Sequence, residues 1–296
     1  MYQPENAIVV GVPAEHGEAA LLFAVEEARR SRSPVHVVHV LQIPAGEPYA
    51  GVYDAARDEA QAVLEATHRR ALELAAGEVP VTHELTDSGS IVAELVSRSV
   101  TARMVVVEHR DLGRLRRFFT GSRSSGVTAR AHSAVVTVPA GWRPTNGRTP
   151  VVTAAVQHPD EAEDLLRAAY DAARERNGRV VVLHAWWLAN GYDDVVVDDE
   201  VLHEWEERWR LELEPVLERL QTRYPMVETK VVVQHAPPVD AVLAAATTSD
   251  LLVVGRRHHL LPLGSHLGPV SRAVIARSPV PVLMTPEPEP ALVTVP

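Results

Sequence analysis

The chain repeats itself at the scale of a domain. Val35-His36-Val37-Val38-His39-Val40 is echoed by Val180-Val181-Val182-Leu183-His184-Ala185, and each segment follows a helix-like stretch ending in an Ala-Arg pair, Ala28-Arg29 and Ala173-Arg174. Met104-Val105-Val106-Val107 returns as Leu251-Leu252-Val253-Val254, and Gly121, Ser124, Val127, Ala129 and Arg130 return as Gly268, Ser271, Val274, Ala276 and Arg277. The offset is 145 from His39 to His184 and 147 from Met104 to Leu251. A near-constant offset across unrelated residue types means duplication. A period this long describes two copies of a domain, not a solenoid. The length of 296 residues, enough for about two domains, agrees.

Each half alternates short apolar runs with longer amphipathic stretches. In the first, strands are expected over 8–12, 35–41, 79–85, 104–107 and 134–138, and helices over 18–30, 54–76, 91–101 and 122–131. The second repeats the order, with strands over 151–156, 179–187, 228–233, 251–254 and 280–284, and helices over 160–176, 201–222, 239–247 and 270–277. Strands separated by helices imply a parallel sheet with right-handed crossovers and helices on both faces. Residues 104–107 and 251–254, apolar at every position, suit central strands. The expected division is domain 1 over 1–141, a Gly/Pro/Asn-containing linker over 142–150, domain 2 over 151–286 and a Glu-Pro-rich disordered tail over 287–296. Leu202, Trp205, Trp209, Leu213, Val216 and Leu220 form one stripe of a helix, read first as core packing or a domain interface and second as a stacking surface for a nucleobase. Pro215 should kink or interrupt that helix.

Composition removes several classes of function. There is no cysteine, hence no disulfide, thiolate metal site or cysteine nucleophile. The net charge of −10 argues against a general nucleic-acid or anionic-membrane binder. The first residues lack the basic start of a secretory signal, and no apolar run is long enough to span a membrane. A cytoplasmic location is the expectation. No Gly-x-Ser-x-Gly elbow, Walker A lysine or paired helical histidines with Glu is present. Glu26-Glu27 and Glu206-Glu207 read as solvated helix faces, with Arg30 and Arg210 as i,i+4 partners of Glu26 and Glu206.

The chemistry-bearing stretch follows the fourth strand of each half. The second half reads Gly255-Arg256-Arg257-His258-His259, then Gly264-Ser265-His266-Leu267-Gly268-Pro269-Val270-Ser271 into a helix. The first reads Glu108-His109-Arg110-Asp111, then Gly121-Ser122-Arg123-Ser124 into a helix. A glycine loop running from a strand into a helix N-terminus is an anion site, through free N–H groups and the helix dipole. The glycines serve turns and helix entry equally well. Arg256, Arg257 and Ser271 are candidate phosphate contacts. His258, His259 and His266 share one loop, but adjacent histidines diverge, so no metal site is expected. His39 and His184, at equivalent strand ends, read as hydrogen-bonded structural histidines.

Taken together, the strand order, the repeated opening and the thirteen-residue step from Gly255 to Gly268 resemble a tandem universal stress protein, with two such domains covering nearly all of the chain. The resemblance implies two five-stranded parallel, Rossmann-like domains of the adenine-nucleotide alpha-hydrolase type, packed as an internal pseudo-dimer through their fifth strands. Nucleotide-binding members carry G-x2-G-x9-G-[S/T] after the fourth strand and an Asp after the first. Here Gly255 and Gly268 match the first and third glycines, His258 replaces the second and Pro269 the Ser/Thr, with Ser271 two residues on. The first half keeps Gly121, Ser122 and Ser124 but has Glu108 and Asp111 for the first two glycines. Pro13 and Gln157 stand at the Asp positions, and Val40 and Ala185 at the adenine-backbone position of the second strand. The implied ligand is ATP or another adenine nucleotide, bound weakly or in one half, with Mg²⁺ only alongside it. The alternatives are an interaction scaffold for unidentified protein partners and, last, a slow ATPase. With the pseudo-dimer inside one chain, a homodimer is optional.

Overall fold

The structure, a computed structural model, describes residues 3–13, 17–41, 50–87, 89–109, 121–159, 162–187, 199–256 and 267–286. Its first half runs β1 (Ile8–Gly11), α1 (Glu18–Ser31), β2 (Val35–Val40), α2 (Ala50–Ala75), β3 (Val81–Thr86), α3 (Ile91–Arg98), β4 (Met104–His109), α4 (Gly121–Arg130) and β5 (Ala134–Pro139). The second half runs β6 (Val151–Ala155), α5 (Ala162–Glu175), β7 (Arg179–Trp186), α6 (Asp199–Arg223), β8 (Thr229–His235), α7 (Pro238–Ala246), β9 (Leu251–Val254), α8 (Pro269–Arg277) and β10 (Val282–Met284). The expected alternation is present in both halves, with ends shifted by a few residues.

The ten strands among the described residues form one sheet, in the order β3-β2-β1-β4-β5-β10-β9-β6-β7-β8. Within each half neighbouring strands are parallel. At the seam β5 and β10 run antiparallel, with Val135 opposite Met284, Val136 opposite Leu283 and Thr137 opposite Val282. The fifth strands therefore join the halves as expected, and two edges that would otherwise offer unpaired N–H and C=O groups are covered. Alternation along each strand divides the core. Ile8 and Val10 with Val152 and Ala154 face α1, α2, α5 and α6 in one large cluster, whereas Val9 and Val105 face α3 and α4. Leu252 and Val254 face α7 and α8.

One expectation fails and another is narrowed. Glu27 is not on a solvated face: it is 2 % exposed and its carboxylate accepts from Arg176 of the other half at 2.6 Å and from Arg30 at 2.7 Å. The α1 surface that would be solvated in an isolated domain is an inter-domain contact, and a buried carboxylate must be paired there. Glu26, one position on, does pair with Arg30 at 3.0 Å, and Glu206 pairs with Arg210 at 2.5 Å. Nor does Pro215 interrupt its helix, since α6 is continuous from 199 to 223. Pro215 sits on the solvent side, and the residue whose carbonyl it leaves without an N–H, Leu211, is 66 % exposed, so water can take the bond.

Candidate functional site

The carboxyl ends of β6, β7 and β9 open onto a cleft of about 470 Å³ between α5, α6, α7 and the start of α8. Topology explains its position: β6 lies between β7 and β9, so crossovers leave in opposite directions and part the loops above the strand ends. The cleft brings together Gln157, Ala185, Gly255, Arg256, Gly268 and Ser271, six residues singled out from the sequence. Arg257 lies outside the described residues, as do Asp111, His258, His259, His266 and the tail.

At one end, Gly268 caps α8 in an extended conformation and Pro269 takes the first helical position. Proline has no N–H, so the donors that helix geometry leaves free toward the cleft belong to Val270 and Ser271. The Ser271 hydroxyl lies 3.5 Å from the Gly255 carbonyl, a weak bond readily exchanged for a ligand. A methyl group at Gly255 would meet Leu165 Cδ1 at 3.2 Å, so close approach of α5 favours glycine there. Arg256 does not point its charge at an incoming phosphate. It is 8 % exposed and donates to the Ala131 carbonyl, beyond the end of α4 in the other half, at 2.5 Å. His109, its counterpart, reaches the Ala276 carbonyl in α8 at 3.0 Å. These paired contacts tie each fourth strand to the opposite domain, and Arg256, expected from the sequence to serve phosphate, is engaged in one of them.

The middle of the cleft is organised by His184. Its Nδ1 lies 3.0 Å from the Val156 carbonyl, which only accepts, so Nδ1 carries the proton. Burial lowers its pKa and keeps the ring neutral. His39 makes the same bond to Val12 at 2.9 Å. In the second half the imidazole also carries Trp209, stacked with centroids 3.2 Å apart. Trp186, Trp187 and Trp205 complete this wall. The helical stripe is thus core at Trp209, Leu213, Val216 and Leu220 but cleft lining at Trp205 and Trp209. Trp186 and Trp187 were not singled out from the sequence. The signal available was a tryptophan doublet at a strand's carboxyl end, where ligands of open sheets bind.

The first half is arranged differently. Gly17 begins α1 without a side-chain cap, and Glu108 supplies one, accepting from the Ala19 N–H at 3.1 Å. This carboxylate, at the first glycine's position, sits at the positive end of the α1 dipole, where phosphates would be sought. Gly121 and Ser122 open α4, the side chain of Ser122 lying outside the described ones, while Ser124 and Val40 are buried. Among the described residues no group of three or more His, Cys, Asp or Glu is placed to hold a metal ion, and no helix is long and apolar enough to cross a membrane.

Comparison with known proteins gives one consistent result. The profile of the Universal stress protein family matches residues 5–139 and again 150–286. A universal stress protein of Mycolicibacterium smegmatis is 29 % identical over 291 residues, covering 95 % of this chain and 97 % of its own. One from Mycobacterium tuberculosis is 30 % identical over 306 residues, covering 95 % of each. Among solved structures, a universal stress protein from Archaeoglobus fulgidus superposes with a TM-score of 0.69 at 19 % identity, over 95 % of this chain and 98 % of that one.

Proposed function

Because the chain belongs to the universal stress protein family, as a tandem of two of its domains, we propose that it is a non-enzymatic stress-response module whose second half alone holds an adenine nucleotide, weakly. The observation that carries this reading is the convergence of Gln157, Ala185, Gly268 and Ser271 on one cleft of about 470 Å³, within the size range of ligand pockets. On this reading the base lies near Gln157 and the backbone of Ala185, and the phosphate lies at the α8 N-terminus. Weak affinity follows from two features: Pro269 removes one N–H, and Arg256 is engaged across the seam. Glu108 disfavours an anion in the first half.

Hydrolysis would need a group that activates water and a carboxylate that holds Mg²⁺ beside the phosphates. The carboxylate among the described lining residues, Asp164, sits in the first turn of α5 and pairs with Arg167. Mg²⁺ would then enter only with the nucleotide. A Cys-free, acidic chain of this kind would work in the cytoplasm, as a monomer or a homodimer, with protein partners as its output.

Calorimetric titration with ATP, ADP and AMP, with and without Mg²⁺, tests the reading. One site per chain is expected, lost in Gly268→Asp and retained in Gly121→Asp. The second reading, a nucleotide-independent interaction scaffold, is favoured by Pro269 and by the engagement of Arg256. It becomes the account to pursue if no nucleotide binds at millimolar concentration.

A further inference from the structure

Four of the five tryptophans in the chain line this one cleft: Trp186, Trp187, Trp205 and Trp209. The fifth, Trp142, lies between the halves against Phe23. The duplicated partner of this wall has none, since α2 carries no tryptophan and Leu41 ends the corresponding strand region. Two halves with one backbone plan therefore differ in an aromatic surface lining one site. Core packing accounts for Trp209, which belongs to the large core cluster with Leu213, but not for the exposed rings of Trp187 and Trp205.

The wall is arranged as faces. Trp186 stacks on Trp205 at 5.1 Å and 18°, and Trp187 stacks on His235 at 5.2 Å and 20°. Trp187 and Trp205 remain 45 % and 37 % exposed, although large aromatics gain most from burial. Arg208 approaches Trp205 at 5.9 Å, the outer limit of a cation–π contact, from a surface position that an incoming ring can displace. Among the described residues the phosphate end is poor by comparison. The formal charges among the described lining residues are Asp164, paired with Arg167, and Arg256, held on the Ala131 carbonyl.

We propose that the cleft recognises its ligand by a planar ring stacked on the tryptophan wall, a purine nucleoside with or without one phosphate, and gains little from further phosphates. The inference rests on the nucleotide reading of the second half and names what that site prefers. Stacking accepts any base face, so guanosine should compete with adenosine. The Gln157 amide, both donor and acceptor, can meet either purine edge.

Calorimetry and tryptophan fluorescence with adenosine, guanosine, AMP and ATP test the proposal on the wild-type chain and on Trp205→Leu, Trp205→Phe and Trp187→Leu. Adenosine and guanosine should bind within about threefold of ATP, a small difference in binding free energy. Trp205→Leu should weaken all four ligands by roughly tenfold, the scale of one lost stack, and Trp205→Phe should restore most of it. If Trp205→Leu does not fold, Trp187→Leu, at the more exposed ring, carries the same expectation. ATP binding more than about thirtyfold tighter than adenosine, or both leucine variants binding like wild type, would overturn the stacking proposal and leave the nucleotide reading standing. Binding of none of the four would overturn both.

Discussion

His36 shows how much one buried side chain can bind the fold to pH. It is 1 % exposed in β2, with Nδ1 2.8 Å from the Thr82 hydroxyl and Nε2 2.9 Å from Arg98 Nη1. Arg98 only donates, so Nε2 must be the acceptor and the proton sits on Nδ1. Burial, then the neighbouring Arg98 charge, lower its pKa from 6.5 to about 4, against the opposing pull of Glu84. The sign follows. The unfolded chain binds a proton near pH 6.5 and the folded chain does not until about 4, so stability is fully present above 6.5 and falls as pH drops between the two. The shift corresponds to about 3 kcal/mol. Denaturant unfolding at pH 7 and pH 4 should therefore show a loss of that order attributable to this group. His36→Val, which installs the residue standing at Val181 in the second half, should flatten that part of the profile; an unchanged slope would refute the assignment. Arg98 would still be paired in that variant, through Glu94 at 2.7 Å and Glu84 at 3.1 Å.

At the scale of elements, α6 holds a stability reserve. Pro215 is exposed within a continuous 25-residue helix, and the carbonyl of Leu211 lacks its i+4 donor. Pro215→Ala should restore that bond and raise stability by about 1–3 kcal/mol, visible as a higher melting temperature. A lower melting temperature would mean that the proline fits a bend on which the core depends. The same helix shows what the sequence could and could not disclose. Periodicity and duplication are local or self-referential signals, so the alternation of strands and helices in each half could be read in advance, whereas the seam between fifth strands is an expectation that comes with the family resemblance. Exposure depends on what lies opposite. Glu27 reads as a surface charge and Arg256 as a phosphate contact until the second domain is placed against them. Trp205 and Trp209 share one stripe, yet Trp205 borders a cleft because β7 ends beneath it with its own tryptophans. The glycine loop pointed to the carboxyl ends of the strands, where the cleft lies, but no local pattern disclosed that aromatic side chains line much of it.

At the scale of the molecule, the two domains behave as one body if the seam is as continuous as the sheet. Val135 and Val136 from one half and Val282, Leu283 and Met284 from the other are all buried there, so separating the halves would expose an apolar strand pair and two unpaired edges. Around it lie the Glu27–Arg176 pair at 2.6 Å, with both side chains buried, and Arg103–Glu175, also at 2.6 Å and partly exposed. A buried ion pair adds little relative to an apolar contact, because both charges lose their hydration. Removing one partner is different, since the other charge is left desolvated. Glu27→Ala should accordingly lower stability by about 3 kcal/mol or more. Glu26→Ala, one residue away and at the surface, should cost less than about 1 kcal/mol. The form of the loss is the more informative readout. In scanning calorimetry the wild-type chain should unfold in a single transition, and Glu27→Ala should move that whole transition down without splitting it, because neither half can keep its fifth strand covered alone. Two resolved transitions in the wild type would show that the halves are independent domains resting against each other. The cross-seam bonds of Arg256 and His109 would then be contacts that do not couple the cleft of the second half to the first half.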